Sequence, residues 1–408
     1  MVARKCKRLR PEDGTPPVRL RTELRKESKL LSPAIPRQTS ERGVIVSKNG
    51  LPRKPLTKRR LKNLILNVLK NPFNMVVLVS LIILFCLIII PLLTMISSTF
   101  TLAQGELRRV QGHVGDFTLY YWKYILTGTM ANAVLWGPLK NSFICGFFTV
   151  LVSVPLGSVL AWLMIRTDIP GKKVLGLLVT VPYMIPSWVK SQAWLSMFKT
   201  PRVGGSAGFV ASIMSGMGVS NEMIETLLSP VAYGAVAIII VLTLHYYAYT
   251  YLLVSAALNS VNSELEEMGE IQGASKALIL RKITLPLVMP AMLSAVILTF
   301  SKAIGTFGTI NYLGSPVGFR TLSSELYSNS KSQNTQTAFA MAILMICIAA
   351  LSVFINQKLI GTRKSYATVG GKGGRSTPIG LRGWKPIVTI ILFIFFIVGI
   401  IMPVVILI

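Results

Sequence analysis

Acidic residues are scarce: 15 Asp and Glu stand against 43 Lys and Arg in 408 residues, for a net charge of +28. Two long apolar runs, Met75–Ile96 and Pro386–Ile408, carry no charge at all. No carboxylate falls inside any long apolar run, which argues against a transporter driven by an ion gradient through acidic coupling sites. There are 2 histidines and 4 cysteines, and no spacing among Cys6, Cys86, Cys145 and Cys347 gives a disulfide framework or a zinc site. The sequence lacks GxxxxGK[ST], the loop that cradles nucleotide phosphates. The Gly-rich GGKGGRS of 370–376 has the wrong spacing and no strand before it. No nucleophile stands in register with a base, so no acyl-transfer site is expected. The chain reads as a non-enzyme with no cofactor of its own.

Apolar residues dominate instead. They make up 52% of the chain, charged residues only 14%, and mean hydropathy is +0.59. A soluble domain carries about 25% charged residues. Crossing a bilayer as a helix takes roughly 20 apolar residues, and helices pair their own backbone groups in lipid. Seven spans are expected, at 75–96, 143–165, 174–198, 231–258, 287–313, 338–356 and 386–408. The fold class is therefore an all-α polytopic membrane protein.

Basic residues set the expected orientation. With the N-terminus inside, inner segments hold 33 Lys and Arg and outer segments 8. Residues 1–73 carry 20 of them and read as a basic, largely disordered cytoplasmic tail facing anionic lipid headgroups rather than nucleic acid. Residues 74–360 read as a six-helix unit and 361–385 as a Gly/Ser/Lys linker. Span 386–408 reads as the first helix of a second, truncated unit. The location expected is a bacterial inner membrane.

The stretch ELEEMGEIQGASKALILRKITLP, 264–286, lies between the fourth and fifth spans. Glu264, Glu266, Glu267 and Glu270 crowd the first turns of a short helix, where the helix dipole favours negative charge. Leu265, Met268 and Ile271 share one face at helical spacing. Gly273 permits a left-handed turn. Lys276, Arg281 and Lys282 follow on a second short piece, and Pro286 opens the next span. The result is a helical hairpin on the inner side with an acidic, partly apolar tip, suited to docking another protein.

Glu267, Gly273 at +6, Ile283 at +16, Leu285 at +18 and Pro286 at +19 match the spacing of the Glu-Ala-Ala loop of ABC importer permeases. The hairpin thus resembles that loop, with Met268 and Gly269 in place of two alanines. PYMIPSWVKSQAW (182–194), GTFGTINYLG (305–314) and TLSSELYS (321–328) are similar to the fused ferric-iron, phosphonate and polyamine subgroup. The resemblance implies a type I permease bundle whose coupling residues are Glu267, Gly269, Gly273, Ala274, Ile283, Leu285 and Pro286. It also implies a separate ATPase dimer carrying ATP and Mg, an extracytoplasmic substrate-binding protein and a second permease unit as partners. That subgroup has Gly-Glu-Phe-Gly where this chain has Gly305-Thr306-Phe307-Gly308, a lost carboxylate that weighs against iron.

Polar residues inside spans are costly and point to function. Lys302 sits mid-span and Lys190 follows Pro182 and Pro186, which should break or kink their helix. With His245 and Thr306 they are candidates for the translocation path; the alternatives are interhelical pairing, snorkelling or simple packing. Two rival functions stay open. One is an ion-gradient-driven secondary transporter. The other is a membrane-anchored scaffold acting through its basic tail.

Overall fold

The computed structural model describes residues 72–104, 110–201, 206–332, 334–361 and 379–397, with Gly399 and Val405. Residues 1–71 of the expected tail, 362–378 of the linker and most of the last span beyond Ile397 lie outside them. The chain divides into two units, Met1–Ile83 and Leu84–Ile408.

Helix α1, Pro72–Ser98, is uncharged, very apolar and has no buried residue. The second unit adds α2 (Tyr120–Thr127), α3 (Asn132–Arg166), α4 (Lys172–Met184), α5 (Ser187–Phe198), α6 (Phe209–Gly216), α7 (Asn221–Ala232) and α8 (Gly234–Ser260). It continues with α9 (Ser263–Ile271), α10 (Lys276–Gly305), α11 (Gly308–Gly314), α12 (Leu322–Lys331), α13 (Thr335–Gly361) and α14 (Lys385–Phe396). Among the described residues, five helices are long and apolar enough to cross a membrane, or six if the bent pair α4–α5 is one span.

Helix α8 is the hub against which α3, α4, α10 and α11 pack. Lipid tails are as apolar as leucine, so helices in a membrane gain little by hiding apolar surface. They associate through close van der Waals contact at small residues. On α3 the buried Thr149, Ser153, Gly157 and Ala161 recur every four residues on one face. At Gly157 the backbones nearly touch: a methyl there would stand 2.4 Å from the Tyr247 carbonyl oxygen and 2.7 Å from Thr250 Cβ. Around this crossing Leu160, Met164, Val179, Tyr247, Tyr251 and Val254 form the largest core cluster, which also takes in Leu392 and Phe396 of α14.

Three expected boundaries move. The second span begins at Asn132, not 143, and α10 begins at Lys276, so 276–286 is no separate piece and Pro286 lies within a helix. Both helices contain one widened π-turn, at Asn132–Trp136 and Leu280–Thr284. Each turn is closed by the residue just before a proline: Gly137 N–H donates to Asn132 O ahead of Pro138, and Leu285 N–H donates to Leu280 O ahead of Pro286. A proline has no N–H to give and its ring crowds the carbonyl four residues back. Opening the turn relieves both problems without ending the helix. The fifth span, expected to run unbroken over 287–313, stops at Gly305 and resumes as α11 after Thr306 and Phe307. Lys302 therefore lies in the last turn of α10 rather than mid-span.

The α4–α5 pair bends by 95°. Pro182 and Pro186 bracket the break, as their missing donors require.

Candidate functional site

The hairpin is built by local rules. Asn262 caps α9, its side-chain oxygen accepting from the Glu264 N–H at 3.1 Å. The helix ends in a Schellman cap: Gly273 N–H donates to Glu270 O at 2.9 Å and Ala274 N–H to Gly269 O at 3.0 Å. Gly273 takes the left-handed conformation this needs, with φ +83. Ser275 then caps α10, its hydroxyl accepting from the Leu278 N–H at 3.3 Å. The sequence Gly-Ala-Ser is thus a stop and a start in three residues.

Gly269 lies against α10. A methyl group on it would sit 3.2 Å from Ile279 Cγ1 and 3.3 Å from Ile283 Cδ1. A small residue lets the two arms close, and Ile283 is half-buried for this reason. Glu267, Leu285 and Pro286 are exposed and Ala274 is half-buried. Leu265, Met268 and Ile271 face outward together, Ile271 at 85% exposure. An apolar stripe flanked by Glu267 and Glu270 is thus uncovered at the hairpin tip.

Two residues outside the expected set anchor the hairpin. The Arg166 guanidinium, 4% exposed at the end of α3, pairs with Glu266 at 3.0 Å and donates to Leu258 O at 3.3 Å. Glu266 also accepts from the Thr284 hydroxyl at 2.6 Å. One carboxylate thereby ties α3, α9 and α10. With Trp162, Glu270 and Ile379 these groups surround a cavity of about 270 Å³. Beside it, Ile379 N–H donates to Arg166 O at 2.8 Å. Asp168 accepts from Leu381 N–H and from Lys385 Nζ, each at 3.0 Å. The Leu381 N–H first, and the Lys385 ammonium second, hold the Asp168 carboxyl below the usual carboxylate range.

The four candidate path residues come from three separate stretches, and aromatic side chains join them. Lys190 Nζ lies 3.0 Å from His245 Nδ1 and also bonds the carbonyl oxygen of Pro182. That carbonyl is free because the residue four further on, Pro186, has no N–H. Tyr183 stacks on both His245 and Tyr249, with ring centroids 5.4 and 5.5 Å apart. Lys302 Nζ stands 5.3 Å from the centroid of the Tyr249 ring. Thr306 donates its hydroxyl proton to Lys302 O at 2.9 Å and accepts a 2.9 Å hydrogen bond from the Tyr246 hydroxyl. Tyr183, Tyr246 and Tyr249 were not among the expected residues; the tyrosine-rich run around His245 was the available signal.

An apolar helical bundle with five or six membrane-crossing helices, a capped hairpin on one loop and lysines set among aromatics has the architecture of a polytopic membrane protein. Residues 124–366 match the family described as binding-protein-dependent transport system inner membrane component, and the chain belongs to that family. It is 24% identical over 256 residues to the protein named "Probable sulfate transport system permease protein cysT" in Marchantia polymorpha, covering 61% of this chain and 83% of that one. It is 27% identical over 237 residues to the molybdenum transport system permease protein ModB of Mycobacterium tuberculosis, covering 57% and 81%. In fold it is similar to a bacterial ABC transporter that imports the acidic polysaccharide alginate, with TM-score 0.57 and 16% identity over 74% of this chain and 99% of that one. The protein is a multi-pass ABC importer permease with the type I fold. The iron-transport expectation finds no support among these relatives.

Proposed function

We propose that this chain forms the translocation path of an inner-membrane importer for small oxyanions of the sulfate and molybdate class. In this reading the hairpin and the N-terminus face the cytoplasm. The stripe of Leu265, Met268 and Ile271, with Glu267 and Glu270 beside it, docks into a separate ATPase dimer that holds ATP and Mg. An extracytoplasmic binding protein delivers the substrate, and a second permease unit completes the path. Nucleotide binding closes the dimer, pushes the hairpin and shifts the bundle between two states.

The observation that carries the reading is the hairpin. Its tip exposes apolar side chains on a helix whose ends are both capped and whose base is pinned by Arg166–Glu266. Such a stiff knob transmits a push instead of absorbing it. The oxyanion assignment draws on the relatives, on the two lysines of the path, and on Thr306 standing where an iron permease would carry a carboxylate. A gradient-driven transporter or a tail-based scaffold accounts for none of this.

Cysteines placed at Met268 and Ile271 test the coupling role. In membranes containing the whole system they should cross-link to the ATPase subunit, and the yield should change with nucleotide. A knob that captures no ATPase refutes the proposal.

A further inference from the structure

We propose that Lys190, His245, Tyr249 and Lys302 form a transit site that binds a doubly charged tetrahedral oxyanion inside the bundle. The inference rests on the importer reading above and deepens it by naming where the substrate pauses.

Charge is the first argument. Among the described residues Glu266 pairs with Arg166, Glu325 with Arg320 and Asp168 with Lys385, all away from these two lysines. Neither Lys190 nor Lys302 has an acidic partner within 4.0 Å among the described residues. A half-buried ammonium such as Lys190, in apolar surroundings without a counter-charge, is costly, and an anion held between it and the exposed Lys302 supplies what the protein withholds.

Geometry is the second. Lys190 is fixed by three neighbours: the Pro182 carbonyl, the Leu244 carbonyl at 3.4 Å and His245 Nδ1 at 3.0 Å. Its position is set by the α4–α5 break, so the ammonium is placed before any ligand arrives. Lys302 differs: it is exposed, and the face of the Tyr249 ring holds it. The stacked rings of His245, Tyr183 and Tyr249 form the wall from one lysine to the other. One cation is thus half-buried and fixed, the other open and able to swing. That pairing suits a ligand that must bind and then leave.

Selectivity is the third. The wall offers donors from the Lys302 ammonium and the tyrosine hydroxyls, while Lys190, whose three N–H groups are already engaged, contributes its charge; no carboxylate pairs with either lysine among the described residues. Thr306, hydrogen-bonded to Tyr246 beside Lys302, brings only a hydroxyl where a carboxylate would attract cations instead.

The test uses the assembled importer in nanodiscs. Radiolabelled sulfate and molybdate binding is measured without the binding protein, and ATP-driven uptake is measured with it in proteoliposomes. The parent should bind at least one of the two anions. Lys302→Gln should lower that binding ten-fold or more, Lys302→Arg should keep most of it, and Lys302→Glu should abolish it. The exposed Lys172→Gln, on the α3–α4 side of the bundle, serves as control. Lys190→Gln removes the cap on Pro182, so Lys302 carries the decisive comparison. Binding by Lys302→Gln equal to the parent overturns the site. So does a parent that binds neither anion while pumping another solute with ATP, although the importer reading then stands. Anion binding with no ATPase partner would leave the site and refute the importer reading instead.

Discussion

Glu266→Ala should destabilise the hairpin more than any change at its exposed tip. In the native protein the carboxylate meets Arg166 at 3.0 Å and the Thr284 hydroxyl at 2.6 Å. Removing it strands a guanidinium that is only 4% exposed and whose Nε already has no hydrogen-bond partner among the described residues. Breaking a buried pair from one side costs about 3–5 kcal/mol. Glu266 is 19% exposed, so water screens part of that charge and the lower end, about 3 kcal/mol, applies. Losing the Thr284 bond adds about 1 kcal/mol. The informative variant is the double one. Arg166→Met with Glu266→Leu removes both charges, and a buried pair replaced by apolar groups of similar size is often neutral in stability. It should therefore recover most of the loss. The assay is denaturant unfolding of the purified permease in nanodiscs for the parent, both single variants and the double. A double variant that loses the sum of the two singles would show that the pair is uncoupled and would refute the argument. If coupling recovers, the ratio of ATP hydrolysed to substrate imported should worsen in Glu266→Ala and improve in the double variant.

Gly157→Ala places a methyl 2.4 Å from the Tyr247 carbonyl, so α3 and α8 must separate; a loss of about 1–3 kcal/mol is expected in the same unfolding assay. A Cβ at position 273 meets no atoms within 4 Å, but Gly273→Val forces a β-branched residue to φ +83, at about 1–2 kcal/mol. It should leave the protein in the membrane while uncoupling ATP hydrolysis from uptake; normal uptake would count against the hairpin's role. Asp168 has a folded pKa below its unfolded one, so the stability it contributes is present above the ordinary carboxylate pKa and fades as pH falls through the lowered value. Asp168→Asn should accordingly lower the melting temperature at neutral pH, and the gap to the parent should close below about pH 4.

What was legible in the sequence was local. Asn262, Gly273 and Ser275 act on neighbours within a few residues, so the hairpin could be read directly. Uncharged runs marked spans because nothing else tolerates that composition. The start of the fifth span failed where a rule meant for helix ends met a helix that bends its hydrogen-bond ladder: Pro286 looks like a first-turn proline, yet a widened turn carries the helix through it, as another does ahead of Pro138. Arg166 and Glu266 could not be paired by eye, being on different helices with α4 to α8 between them. Lys190, His245 and Lys302 were each singled out as polar residues in apolar surroundings. Their meeting depends on the 95° bend and on where α8 crosses α10, neither of which a periodicity shows.

Helix α10 begins in the hairpin and ends in the turn that holds Lys302. At 1.5 Å per residue, the distance from Lys276 to Lys302 is roughly 40 Å, traversed by one continuous rod. Its weak points are the π-turn, in the half nearer the hairpin, and Pro290, at the midpoint. A tilt imposed at the hairpin end therefore swings the far half as a stiff arm, and the open ammonium at its tip travels farthest. The engine and the cargo seat would then share one piece of machinery, with timing fixed by length alone.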